Sequence, residues 1–341
     1  MTDSIELPFV HHQSAHCESG VLANLLSHRG IPLSEPMAFG LGAGLFFAYL
    51  PMIRINHLPL VTYRAAAGQL LRRVARLPGF CLERRTYASP ARAMADLDAL
   101  LAQSIPVGLQ TGVFWLPYFP SALRFHFNAH NLVVYGKRGD DYLISDPVFP
   151  EPVTCPGRDL ARARFASGAL APKGRLYYFT AVPAKFDRAT AIVKGIAAVA
   201  GAMKRTPFPL VGVSGIRFLA GRLRHWQRRL GADRAALHLG HVVRMQEEIG
   251  TGGGGFRFLF AAFLQESATV LGDDRLRGEA ERITTAGDCW REFAAMAARI
   301  CKGRAKPEDS YPVAADLLLH CADMEEQVFA ALGQWARENS R

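Results

Sequence analysis

From residue 17 to residue 29 the apolar side chains Val21, Leu22, Leu25 and Leu26 recur at helical spacing, until Gly30 and Pro32 stop the run. The pattern predicts a helix that begins at Cys17, with Ser14 near its start. Residues 90–103 repeat the signature, with Ala91, Met94, Leu97, Leu100 and Leu101 on one face. Short apolar runs predict strands at 106–110, 131–136, 142–146 and 175–182, the middle two joined by the turn Lys137-Arg138-Gly139-Asp140-Asp141. Beyond Ala184 helical periodicity takes over, at 189–203, 216–230, 234–249, 258–270, 276–298 and 313–337. The expected architecture is an α+β domain over 1–183 followed by a mainly α-helical domain over 184–341, in line with about 150 residues per domain for a chain of 341.

Two glycine-rich stretches break these patterns. Phe39-Gly40-Leu41-Gly42-Ala43-Gly44-Leu45-Phe46 follows no clear strand and lacks the Lys-Ser/Thr of a P-loop, so tight turns or close backbone packing are expected there. Thr251-Gly252-Gly253-Gly254-Gly255-Phe256-Arg257 interrupts the helical half. One reading is a flexible loop between helices. The other is a ligand loop, in which the amides of Gly253 and Gly254 approach a substrate closely and Arg257 fixes a carboxylate or phosphate.

Composition narrows the classes. Half of the residues are hydrophobic and 21% are charged, an ordinary globular balance. No apolar run reaches the roughly 18 residues of a membrane span. The start, Met1-Thr2-Asp3-Ser4-Ile5-Glu6, is acidic and polar where a signal peptide is basic, so the expected location is the cytoplasm. Six cysteines (17, 81, 155, 289, 301 and 321) form no CxxC pair, which argues against a zinc ribbon or a disulfide framework. The net charge is +10, with basic residues at Arg72, Arg73, Arg76, Arg84, Arg85, Lys204, Arg205, Arg217, Arg222, Arg224, Arg228 and Arg229. These form either solvated faces or a surface for an acidic partner. No zinc finger, RNA-recognition motif or basic arm is present, so nucleic acid is not the expected partner. The oligomeric state is left open, a homodimer included.

The chemistry concentrates in two distant segments. In His11-His12-Gln13-Ser14-Ala15-His16-Cys17-Glu18-Ser19-Gly20 a thiol stands at a helix N-terminus, where the macrodipole favours the thiolate. Its polar surroundings are not those of a core cysteine. In the predicted hairpin, His130 lies eight residues before Arg138 and Asp146 eight after it. A regular antiparallel register would set the two opposite each other, with Cα atoms about 4.5–5.5 Å apart, so that the carboxylate holds one imidazole nitrogen and leaves the other to take a proton. Cys17, His130 and Asp146 thus fill the roles of nucleophile, base and orienting acid. The Cys17 backbone N–H and an upstream side chain would form the oxyanion hole, with Gln13 the first choice, His11 or His12 as alternates and His16 a neighbour. No metal site is expected. His11, His12, His16 and Cys17 are too crowded for tetrahedral ligation, and His126 with His130 leads into a strand rather than along a helix.

His16-Cys17-Glu18, Phe39-Gly40-Leu41-Gly42, Ala129-His130-Asn131-Leu132-Val133-Val134 and Asp146-Pro147 resemble the N-terminal domain of the butirosin biosynthesis protein H family. Glu248 to Arg257, with Phe263-Leu264-Gln265-Glu266, resembles the helical DUF4872-type domain that follows it. The resemblance implies a papain-like, C39-peptidase-like catalytic domain. It further implies an acyltransferase that takes an acyl or aminoacyl group from the phosphopantetheine arm of an acidic acyl carrier protein and passes it to a small-molecule amine, with no cofactor of its own. By match, Cys17 is nucleophile, His130 base and Asp146 orienter. The match puts His11, not Gln13, where such peptidases carry their oxyanion glutamine. A hydrolase of the same fold and a non-catalytic partner-binding scaffold are the alternatives.

Overall fold

The computed structural model, which describes residues 4–55, 57–204 and 208–340, divides the chain into two units that are not consecutive blocks. Unit 1 comprises Met1–Ala38 and Leu70–Phe186; unit 2 comprises Phe39–Gln69 and Asp187–Arg341. A single cut at 183 therefore falls close to the third crossing of the chain between units and misses the earlier excursion of 39–69. Met1 to Asp3, and Arg205 of the basic pair noted above, lie outside the described residues.

In chain order the strands are β1 (Ser4–Glu6), β2 (Leu45–Ile55), β3 (Leu58–Arg64), β4 (Cys81–Arg85), β5 (Val107–Thr111), β6 (His130–Arg138), β7 (Asp141–Ser145), β8 (Val153–Pro156) and β9 (Leu176–Ala181). The first five helices are α1 (Cys17–His28), α2 (Glu35–Leu41), α3 (Gln69–Val74), α4 (Pro90–Ala102) and α5 (Gly157–Arg164). Unit 2 continues with α6 (Arg188–Lys204), α7 (Gly212–Leu223), α8 (Trp226–Leu230), α9 (Ala232–Glu247), α10 (Arg257–Leu271), α11 (Asp274–Cys301) and α12 (Tyr311–Glu338).

Unit 1 is built on an antiparallel sheet ordered β4-β9-β5-β6-β7-β8, with β1 paired to the far end of β6. One face packs on α4 and α5 through Leu97, Leu100, Leu101, Leu109, Leu132, Val134, Ile144 and Leu160. The other face receives α1. Being covered on both sides, β6 is buried from His130 to Gly136, which explains why it reads as an unbroken apolar run rather than an alternating one.

Unit 2 is helical apart from the β2–β3 hairpin, which helical periodicity does not reveal. Its core includes Phe47 and Tyr63 from that hairpin against Trp290 of α11, with ring centroids 5.3–5.9 Å apart. The glycines of 39–46 do serve close packing. A Cβ on Gly40 would fall 2.1 Å from the Phe263 ring, and one on Gly44 2.4 Å from Phe39. The helix expected over 216–230 is two helices, broken between Leu223 and Trp226. No helix among the described residues is long and apolar enough to cross a membrane.

Candidate functional site

Cys17 is the first residue of α1, and His16 is its N-cap, extended at φ −120° and ψ 125°, with a ring nitrogen accepting from the Ser19 amide. The turn leading into the helix is clamped by Glu35, whose carboxylate accepts the amides of Ala15 (2.9 Å) and His16 (2.7 Å) and the Ser19 hydroxyl (3.1 Å). Burial raises the Glu35 pKa despite these three donors. Helix α1 comes close to the loop after β7 because residue 20 is glycine. A Cβ there would lie 2.6 Å from Pro147 Cβ and 2.7 Å from Ser14, whose own amide donates to the Pro147 carbonyl.

His130 opens β6 and Asp146 follows β7, but they are not cross-strand partners. The hairpin closes through Gly139 and Asp140 alone, with Arg138 opposite Asp141, and a register shift lies between Val134 and Gly136. Val133 faces Ser145, so continuing the ladder by one residue sets Asp146 opposite Leu132. The expected register is two residues off. Because side chains alternate with period two, that error preserves the face, and His130 and Asp146 become diagonal neighbours instead. His130 Nε2 lies 2.7 Å from Asp146 Oδ2.

The carboxylate is fully buried and well supplied with donors. Besides the imidazole, Oδ2 accepts the Tyr118 hydroxyl at 2.8 Å, and Oδ1 accepts the Val148 amide at 3.2 Å. With Nε2 on Asp146, Nδ1 is the nitrogen left for Cys17, and the thiol is hydrogen-bonded to the ring. Burial acts to lower the His130 pKa. The charge and hydrogen bond of Asp146, then those of Cys17, overcome it and raise the value to about 10. Phe119 stands edge-on to the imidazole, centroids 5.4 Å apart, and restricts its rotation.

A second polar group reaches the sulfur. Asn131 Nδ2 lies 3.9 Å from Cys17 Sγ and donates to the Ala129 carbonyl at 3.0 Å, while its Oδ1 accepts the Tyr177 hydroxyl at 2.8 Å. Sequence reasoning passed over Asn131, Tyr177, Tyr118 and Glu35. The signal for Asn131 was a polar residue, next to a candidate base, inside an otherwise apolar run. Tyr118, Tyr177 and Glu35 come from segments whose patterns carry no such mark.

The upstream candidates fare differently. Gln13 and His12 are exposed. His11 has both ring nitrogens engaged, Nδ1 at 2.8 Å from Ser145 Oγ and Nε2 at 3.0 Å from the Phe149 carbonyl. Since a carbonyl only accepts, Nε2 donates to Phe149, and Nδ1 faces the Ser145 hydroxyl. His11 therefore ties the N-terminal segment to the loop that carries Asp146, and His16 caps a helix.

The reading of Gly253, Gly254 and Arg257 as ligand donors is corrected by their partners. Arg257 is fully buried in unit 2 and donates to Glu325 through Nε (2.7 Å) and NH2 (2.9 Å) and to the Gly255 carbonyl (2.8 Å). Its guanidinium lies over the Trp290 ring, and Trp290 Nε1 also donates to Glu325. The Gly253 amide donates to Thr251 Oγ1 and the Gly254 amide to Glu247. Residues 252–256 all have positive φ, which accounts for four consecutive glycines without a ligand.

A family model for the N-terminal region of butirosin biosynthesis protein H matches residues 16–147, and a model for a domain of unknown function, DUF4872, matches residues 158–332. Cys17, His130 and Asp146 all fall within the first match, and the 251–257 loop within the second. A solved structure titled a C39-like peptidase from Bacillus anthracis is similar at 16% identity and a TM-score of 0.37, covering 52% of this chain and 97% of that one. No curated protein matches the chain.

Proposed function

Because the chain belongs to the family that joins a butirosin biosynthesis protein H N-terminal domain to a DUF4872 domain, we propose that it is an acyltransferase acting through a Cys17 acyl-enzyme. The observation that supports this most is the hydrogen-bonded line from the Cys17 thiol through His130 to a buried, fully donor-supplied Asp146. Such a line generates a thiolate–imidazolium pair, the form that attacks a carbonyl.

The donor in this reading is a thioester on the phosphopantetheine arm of an acyl carrier protein. The thiolate adds to the thioester carbon, the carbonyl electron pair moves to oxygen, and collapse expels the pantetheine thiolate, which takes the imidazolium proton. An amine then adds to the acyl-enzyme, neutral His130 removes its proton, and collapse leaves an amide and the Cys17 thiolate. Asp146 keeps the ring oriented through both half-reactions. The acidic carrier suits a chain of net charge +10.

Intact-protein mass spectrometry after mixing with acylated carrier tests the first half-reaction. The expected result is a mass gain of one acyl group on the wild type and none on Cys17→Ala. Adding amines then separates the outcomes: an amide product supports transfer, whereas free acid alone assigns hydrolysis. Acylation of Cys17→Ala equal to wild type would remove the nucleophile.

A further inference from the structure

The oxyanion formed when Cys17 attacks a carbonyl needs donors aimed at the carbon-bound oxygen, and the glutamine expected upstream does not provide one. Gln13 is exposed, and both ring nitrogens of His11 are bonded elsewhere. We propose that the side-chain amide of Asn131 is the oxyanion donor, working beside the amides at the start of α1. This inference rests on the acyl-transfer reading of Cys17.

The amide cannot turn over. Its Nδ2 carries two hydrogens and its Oδ1 carries none. The Ala129 carbonyl, 3.0 Å from Nδ2, requires a donor, and the Tyr177 hydroxyl, 2.8 Å from Oδ1, supplies one. Tyr177 keeps its proton, because burial and the nearby charges of Glu18 and Cys17 raise its pKa well above the ordinary phenol value. A flipped amide would set two acceptors together at Ala129, 3.0 Å apart, with no hydrogen between them. The Ala129 carbonyl thus sets the orientation, the Tyr177 hydroxyl is compatible with it, and it leaves the second Nδ2 hydrogen on the side of Cys17 Sγ.

The distance suits the role. At 3.9 Å the contact is long for a hydrogen bond to sulfur. In the tetrahedral adduct, however, the acceptor is the oxygen on the carbon bonded to that sulfur, not the sulfur itself. Oxyanion donors work at about 2.7–3.1 Å from where the oxygen will be, and the Asn131 amide stands beside the sulfur on which that adduct forms. Asn131 is 5% exposed and sits next to His130 on the same strand, so base and donor are positioned by one backbone. The step balances without any added reactant: the carbonyl π pair becomes the oxyanion lone pair, and it returns to the carbon as the leaving thiolate departs.

The test compares two reactions of the same sulfur. Acylation by p-nitrophenyl acetate or by the acetyl thioester of N-acetylcysteamine passes through an oxyanion. Alkylation by iodoacetamide displaces iodide and does not. For Asn131→Ala, acylation should slow on the order of 10²–10³-fold, as on removing one oxyanion donor, while alkylation slows far less. Tyr177→Phe, which keeps the amide but releases its lock, should show a smaller loss confined to acylation, and it serves if Asn131→Ala does not fold. Equal losses in both reactions would assign Asn131 to the thiolate or to structure alone. Unchanged acylation would also overturn the proposal. A wild-type protein that is never acylated on Cys17 would defeat the acyl-transfer reading itself, an outcome distinct from a wild type that acylates and a variant that keeps pace.

Discussion

Asp146 is a buried carboxylate whose two oxygens take three donors, and its charge is what keeps an almost fully buried imidazole protonated. The consequence for pH follows from sign. The folded His130 pKa, raised to about 10, exceeds the ordinary value of 6.5. The protonated ring therefore adds stability that is complete below about pH 6.5 and lost as pH rises through about 10. In Asp146→Asn the raising charge is gone. The melting temperature of this variant should fall furthest below wild type near pH 6, and the gap should close toward pH 10. A gap of constant size across that range would show that Asp146 acts through packing rather than through the charge of the ring. At the same scale, the sulfurs are unequal. Burial pushes the Cys155 thiol up to about 12 and raises those of Cys301 and Cys321 as well, whereas Cys81 is exposed. One equivalent of iodoacetamide near pH 7 should label Cys17 first, with Cys81 its main competitor, as peptide mapping would reveal. Preferential labelling of Cys155 would contradict the thiolate assignment.

At the scale of elements, one contact bears on how Cys17 meets the loop of Asp146 and another on the packing of unit 2. Gly20 lets the first turn of α1 lie against Pro147. Gly20→Ala should lift that turn away from the loop carrying Asp146, costing about 1–3 kcal/mol in stability, the usual range for overpacking, together with a loss of Cys17 acylation. A variant of unchanged stability and acylation rate would show that the loop yields. In unit 2, the Arg257–Glu325 pair joins α10 to α12 with both side chains fully buried. Glu325→Gln should destabilise by roughly 3–5 kcal/mol, because it leaves the guanidinium uncompensated. Replacing both partners with apolar residues should cost less, and a denaturation series on the three variants checks the order. Much of this framework was legible in the sequence. Helix α1 begins at the predicted cysteine, α4 and the long C-terminal helices follow their apolar stripes, and the hairpin strands were found. Register was not legible. The turn could be centred on Arg138 or on Gly139-Asp140, and the bulge near Tyr135 depends on how β1 and β7 both meet β6. The β2–β3 hairpin was missed because its burial is set by helices far away in the chain. The role of Arg257 was misjudged because its partner, Glu325, is 68 residues on, in a helix whose stripe gives no sign of a buried acid.

For the molecule as a whole, net charge overstates the basic surface. Arg217 pairs with Asp323 and Glu326, Arg224 with Asp316, and Arg85 with Glu83 and Asp96, so part of the 84–85 run and of the 217–229 run is neutralised within its own unit. In unit 1, which carries Cys17, Arg76 is exposed. If an acidic carrier docks on such charges, its encounter is electrostatically steered and weakens once the screening length shrinks from about 10 Å at 0.1 M salt toward about 3 Å at 1 M. A small thioester lacks that field. Raising salt should therefore lower kcat/KM for the carrier-borne donor several-fold and leave acylation by the N-acetylcysteamine thioester nearly constant. Arg76→Glu should reproduce the salt effect at low ionic strength, raising KM for the carrier while the small donor reacts as before. A loss with both donors would point to a folding defect, and a carrier rate indifferent to salt and to Arg76→Glu would remove charge from the recognition of the donor.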